Sequence, residues 1–152
     1  MSNLEIENNL NGSVVEKIIL DTHIIIWYAE GINLTEKQVS IIDRARDNNS
    51  LFISSISIWE IAMLFNKGKT VFSISLNELI DKILSIPGLN VIDLSIPILL
   101  ESTSLPNYEP KDPADRLIIS STRANGSYLM TIDQKIIDYA NRGYLKIVRM
   151  ND

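Results

Sequence analysis

Cysteine is absent from the 152-residue chain, which excludes disulfides, zinc-thiolate centres and thiol nucleophiles together. Histidine occurs once, at His23, so no pair of imidazoles can divide acid and base work between them. Long apolar runs are missing as well. The longest, Ile24 to Ala29, falls far short of the roughly 18 residues that a membrane-spanning helix requires. Positive charge is scarce. Fourteen Lys and Arg stand against 19 Asp and Glu, a net charge of −5, which argues against a grip on nucleic acid through long-range attraction alone. A polynucleotide ligand would need positive charge from another source. Residues 1–13, rich in Asn and Glu, lack the basic and apolar regions of a secretory signal. Residues 1–16 therefore read as a flexible amino-terminal arm and residues 17–150 as one domain of a cytoplasmic protein with no membrane attachment.

What the chain does have is the composition of a folded domain, 45% apolar and 22% charged. Lys17 to Leu20 is a short strand-like run that stops at Asp21, and Thr22 to Glu30 continues with helical spacing. Further helices are expected from a cap at Thr35 to about Asn48, over Ile56–Asn66 with a stop at Gly68, over Leu76–Ser85, around Ile96–Thr103, over Pro113–Asn125 and over Gln134–Asn141. Strands are expected over Leu51–Ser54, Leu89–Leu94, Ser127–Ile132 and Tyr144–Val148. Apolar strands alternating with helices indicate an α/β domain, a small parallel sheet sandwiched by helices and doubly wound. Such sheets bind ligands beyond the carboxyl ends of their strands, and the residues expected there are acidic.

Each acid also has a plain structural reading. Asp21 stands between a strand and a helix, where an aspartate caps. Glu60 closes Ser57-Ile58-Trp59-Glu60, which fits a capping box, yet Ile56, Met63 and Leu64 share its helical face and would desolvate it. Asp112-Pro113-Ala114-Asp115 has the grammar of a helix start, with Asp112 as the cap and Asp115 in the first turn. Asp133 follows Thr131 at the end of a strand, again a capping position. Taken together, Asp21, Glu60, Asp115 and Asp133 all fall at strand-to-helix junctions or in the opening turns of helices, which lie at one edge of a parallel sheet. Carboxylates gathered in that way raise one another's pKa and are expected to hold a divalent cation. An all-oxygen donor set without Cys selects Mg²⁺, with Mn²⁺ as a substitute, over zinc.

The strings Ile19-Leu20-Asp21-Thr22-His23, Trp59-Glu60-Ile61-Ala62, Asp112-Pro113-Ala114-Asp115-Arg116-Leu117-Ile118-Ile119 and Thr131-Ile132-Asp133 resemble, in this order, the motifs of PIN-domain nucleases. More narrowly, they resemble the VapC-type toxins of bacterial toxin-antitoxin pairs. The resemblance covers about Ile18 to Val148 and implies a Mg²⁺-dependent ribonuclease, an RNA substrate, frequent homodimerisation and inhibition by a cognate antitoxin. Matched residue by residue, Asp21, Glu60, Asp115 and Asp133 stand where that family keeps its acidic metal-site residues, and Thr131 where it keeps a hydroxyl. Asp112 and Thr131 are expected to support the ligands rather than bind the metal.

On this reading the carboxylates hold one or two ions that orient the scissile phosphate and activate a water for in-line attack, leaving a 5′-phosphate. The rival reading is a non-catalytic PIN-like binding module that acts through a partner protein or RNA. A phosphotransfer role for Asp21 asks for a second Asp two places on, where this chain has His23. Gly68-Lys69-Thr70 imitates the end of a P-loop but follows a helix rather than a strand. His23 is expected to act structurally, Arg116 in a local or surface ion pair, and Trp27, Trp59 and Phe65 in the core. Lys67, Lys69, Lys111 and Arg123 are candidates for an RNA path. Ile41, Ile58, Met63 and Leu64 are candidates for an antitoxin interface.

Overall fold

The computed structural model describes residues 15–68 and 73–150. The arm over residues 1–14, together with Lys69 and Thr70, lies outside the described residues. The chain folds as β1 (Ile18–Leu20), α1 (Thr22–Glu30), α2 (Glu36–Asp47), β2 (Leu51–Ser54), α3 (Ser55–Lys67), α4 (Leu76–Leu84), β3 (Leu89–Ile92), α5 (Ile96–Ser102), α6 (Pro113–Ala124), β4 (Tyr128–Met130) and α7 (Gln134–Asn141). Helix starts follow from capping side chains. Thr35 accepts from Gln38 N while Gln38 reaches back to the Thr35 N–H, and Ser75 accepts from Glu78 N.

All strand pairs are parallel, in the order β3-β2-β1-β4. The pleat sends alternate side chains of each central strand to opposite faces. Ile18 and Leu20 of β1, Leu51 and Ile53 of β2 and Tyr128 and Met130 of β4 pack with the apolar sides of α1, α2, α3 and α4. Ile19 and Leu129 face the other way, onto α6 and α7 through Ile118, Ile119, Ile136 and Tyr139. Strands β1 and β4 are thus buried on both faces, which is why they read as unbroken apolar runs, whereas the edge strand β3 carries Asn90 and an exposed Val91. The first two crossovers build outward from β1 to β2 and β3. The third returns past them to place β4 on the far side of β1, so the order reverses between β1 and β4.

The expected fifth strand over Tyr144–Val148 is reduced to a single parallel bridge between Leu129 and Ile147. Leu129 N donates to Lys146 O and Val148 N to Leu129 O, each at 2.9 Å. Here the apolar pattern reports burial rather than a ladder. Leu145 and Ile147 pack on the α6 and α7 side, and Val148 on the opposite side. No helix among the described residues is long and apolar enough to cross a membrane.

Candidate active site

Asp21 leaves the carboxyl end of β1 and caps α1, with its Oδ1 accepting from Thr22 N at 2.8 Å. Its other oxygen, Oδ2, accepts from the Thr131 hydroxyl at 2.6 Å, just beyond the end of β4. Thr131 Oγ1 in turn accepts from Asp133 N at 3.1 Å. The reversal point of the sheet is therefore tied by one carboxylate and one hydroxyl, and both readings of Asp21, as cap and as site residue, describe the same side chain.

Glu60 is held differently from the capping box that its sequence suggested. The cap of α3 is Ser54, which accepts from Ile56 N at 3.3 Å, and Ser57 lies inside the helix. This frees Glu60 in the second turn to accept from the Thr22 hydroxyl at 2.5 Å, while Thr22 Oγ1 also lies 2.9 Å from Ser57 Oγ. Thr22 and Ser57, both buried, were not singled out in the sequence. A hydroxyl residue directly after the strand-terminal aspartate was the available signal for Thr22, whereas Ser57 was marked only as the start of a capping box that the structure does not form.

Asp112 caps α6 through Ala114 N at 3.0 Å, and Asp133 caps α7 through Lys135 N at 2.9 Å. Asp115 lies half-buried in the first turn of α6. Burial first, and then the charges of Asp112, Asp133, Asp21 and Glu60, push its carboxyl up to about 7. Burial also raises Asp21, outweighing the hydrogen bonds from Thr131 and Thr22 and the nearby His23. Glu60 is raised by burial against the pull of the Thr22 bond, with Asp21 and Asp112 adding to the rise. Four elements thus bring acids into one shared negative field.

That field is not a closed set of ligands. Among the described residues, no group of three or more Asp, Glu or His side chains is arranged to hold a metal ion. The physical reason lies in the caps: Asp21, Asp112 and Asp133 each spend one oxygen on a different helix amino terminus, which aims them at separate peptide groups rather than at a common point. The acids act on one another through their charges without closing on a common point. The chemistry of the donors nevertheless fits a hard divalent cation. All are carboxylate oxygens, three are destabilised in the charged form, and none pairs with a Lys or Arg among the described residues.

Several flanking expectations change. Arg116 makes no ion pair with an acid among the described residues. Its guanidinium donates to the carbonyls of Pro110, Ser102 and Tyr108 at 2.8, 3.1 and 2.6 Å and lies over the Tyr108 ring, stapling the loop that precedes α6. Arg123 sits eight residues past Asp115, about 12 Å along the helix by its rise, where it pairs with Glu101 at 2.9 Å, so it lines no path over the acids. Lys67 and Lys111 are exposed, the former at the end of α3 and the latter beside Asp112. Trp27 and Phe65 pack against the core as expected, but Trp59 is 55% exposed. Ile41, Ile58 and Leu64 are partly buried and pack against the core.

A family model for the PIN domain matches residues 18–142. Ribonuclease VapC22 of Mycobacterium tuberculosis is 25% identical over 120 residues, covering 78% of this chain and 88% of that protein. The crystal structure of VapBC2 from Rickettsia felis bound to a DNA fragment from their promoter has a TM-score of 0.66 at 20% identity, over 88% of this chain and 98% of that one. FitAcB from Neisseria gonorrhoeae has a TM-score of 0.62 at 16% identity, over 87% and 96%. The match spans β1 to α7 and includes every acid of the site: the chain belongs to the PIN domain family.

Proposed function

We propose that the protein is a divalent-metal-dependent endoribonuclease and the toxin of a toxin-antitoxin pair. The observation that carries this reading is the acidic edge, in which Asp21, Glu60 and Asp115 are all raised above the ordinary carboxylate value and none forms an ion pair with a Lys or Arg among the described residues. A helix cap gains from its charge at the helix amino terminus, so caps alone do not account for acids kept reluctant to ionise. The likeness to Ribonuclease VapC22 and to a VapBC toxin-antitoxin structure supports the substrate class and a protein partner.

Asp21, Glu60 and Asp115 would hold Mg²⁺ or Mn²⁺, with Asp133 at the rim and Asp112 behind Asp115. Such an ion supplies charge to the scissile phosphate and a water of lowered pKa. Thr131 fixes the rotamer of Asp21 by donating to Oδ2, and Thr22 fixes that of Glu60 by donating to Oε1. Neither carboxylate then has to be ordered at the moment of reaction. His23, exposed and tilted on Trp27 at 6.1 Å between ring centres, has no partner imidazole with which to run an acid-base relay. Hydrolysis by an activated water leaves a 5′-phosphate and does not need the RNA 2′-hydroxyl. The exposed Ile96, Leu99 and Leu100 of α5 offer an apolar surface for a second copy of the chain.

The test is cleavage of total RNA with Mg²⁺ or Mn²⁺, with EDTA, and with Asp21→Asn and Asp115→Asn. Cleavage by the wild type alone, abolished by EDTA and leaving 5′-phosphate ends, is expected. Undiminished cleavage by both variants, with circular dichroism showing an intact fold, would defeat the assignment. Binding of Mn²⁺ with no cleavage of any RNA would favour the non-catalytic module.

A further inference from the structure

α3 presents a second feature beside its acid. Trp59, Met63, Leu64 and Lys67 share a pocket of about 220 Å³ with Thr22, His23, Glu60, Asp112 and Ala114. Two of these residues, Glu60 and Thr22, are the bonded pair at the acidic edge, so pocket and edge are continuous. Trp59 precedes Glu60 directly, and the residue is more than half exposed although its helix also supplies the buried Ile61 and packs Leu64 against the core. Lys67 closes the pocket seven residues after Glu60, about 10 Å along the helix. It is exposed and has no ion pair among the described residues.

We propose that this pocket is a nucleobase subsite: Trp59 stacks on the base of the nucleotide adjoining the bond that is cut, and Lys67 meets the next phosphate. The inference rests on the ribonuclease reading for its location, since the neighbour of a phosphate held at Glu60 has to lie on the surface that shares Glu60. The chemistry of the pocket chooses the occupant. An exposed indole gives a flat, sequence-tolerant platform. The Glu60 and Asp112 carboxylates border it as acceptors for exocyclic amino groups, and His23 adds a polar group at the rim. A chain with net charge −5 that binds a polyanion also has reason to recover affinity through stacking rather than through bulk attraction. The volume suits a single planar ring and not the apolar length of a partner helix.

Trp59→Ala, Trp59→Phe and wild-type full-length protein are compared in two assays. In the first, a fluorescein-labelled, mixed-sequence single-stranded RNA of twelve nucleotides is titrated in EDTA, with RNA anisotropy giving Kd for every protein, indole fluorescence reporting stacking, and Trp59→Phe reporting the background from Trp27. In the second, Mn²⁺-dependent cleavage of the same RNA is followed. The expected result is quenching that disappears in both variants, together with roughly a tenfold rise in Kd and KM for Trp59→Ala, a kcat within about twofold, and near wild-type KM for Trp59→Phe. An abasic nucleotide next to the cut should raise KM for wild type and add nothing in Trp59→Ala. Equal KM for wild type and Trp59→Ala, with cleavage intact, overturns the subsite and leaves the nuclease reading standing. RNA-dependent quenching without any cleavage keeps the subsite and removes the nuclease. Unchanged RNA binding by Trp59→Ala, with a co-purified protein partner lost, reassigns the face to protein and overturns the proposal.

Discussion

Asp115 shows how a single side chain records the cost of burying acids side by side. Its folded pKa of about 7 lies above the ordinary aspartate value of 3.8. Between those two values the folded state holds a proton that the unfolded state has released. Stability therefore falls as pH rises from about 4 to about 7, opposite in sign to the usual paired carboxylate. Replacing Asp115 by Asn removes the charge and keeps the size. At pH 8 without added metal, Asp115→Asn should gain about 1 to 2 kcal/mol of stability, after allowing for the screening of a half-exposed group. The gain should vanish near pH 4. Urea denaturation at the two pH values measures both numbers, and a variant less stable than wild type at pH 8 would show that Asp115 makes a structural contact worth more than its repulsion.

At the scale of elements, the loop from Thr103 to Asp112 is held at Pro106 and Asn107 by Tyr139 and Arg142, and at its two ends by Arg116. The three carbonyls that Arg116 engages come from Ser102, Tyr108 and Pro110, so one guanidinium ties the end of α5 and the whole approach to α6 to the turn that carries Asp115. Arg116→Ala should cost about 2 to 4 kcal/mol, the worth of losing several charge-assisted bonds to carbonyls. Arg116→Lys should recover only a minor part, because an ammonium cannot match three acceptors in a plane. A loss below about 0.5 kcal/mol in urea denaturation would show that the loop stands without the staple. Nothing in the sequence announced this, since the partners are backbone carbonyls and carry no residue signature. The same blindness explains Trp59: an apolar helix in an α/β pattern says that a face is buried, and the phase that exposes one indole depends on how α3 packs between α1, α4 and α6. Helix starts were legible because caps are local, as at Thr35 and Asp112. The missing ladder at Tyr144–Val148 was not, because alternation of buried residues is the same whether or not a neighbouring strand is long enough to pair.

For the whole molecule, the order β3-β2-β1-β4 is what turns distant acids into neighbours. Asp21, Glu60, Asp115 and Asp133 could be proposed as a set from their junction positions; of the four, Asp21 and Asp133 are also helix caps, whereas Glu60 and Asp115 are not, and the acids share a field without closing on a point. A cation bound there has to displace the proton that Asp115 carries below about pH 7 and to relieve repulsion above it. Binding to the folded state alone stabilises it by an amount that grows with the ratio of free ion to Kd, about 2.7 kcal/mol at one hundred times Kd. Added Mn²⁺ should therefore raise Tm, and raise it more at pH 8 than at pH 6, where affinity falls by up to about tenfold for the single proton displaced. Asp115→Asn should lose that pH dependence, and Asp21→Asn combined with Asp115→Asn should lose the Tm shift itself. Differential scanning fluorimetry across a Mn²⁺ series tests all three. An equal shift at both pH values in the wild type, or a shift that survives in the double variant, would place the bound ion elsewhere and leave the edge as three helix caps, Asp21, Asp112 and Asp133, beside two part-buried acids, Glu60 and Asp115.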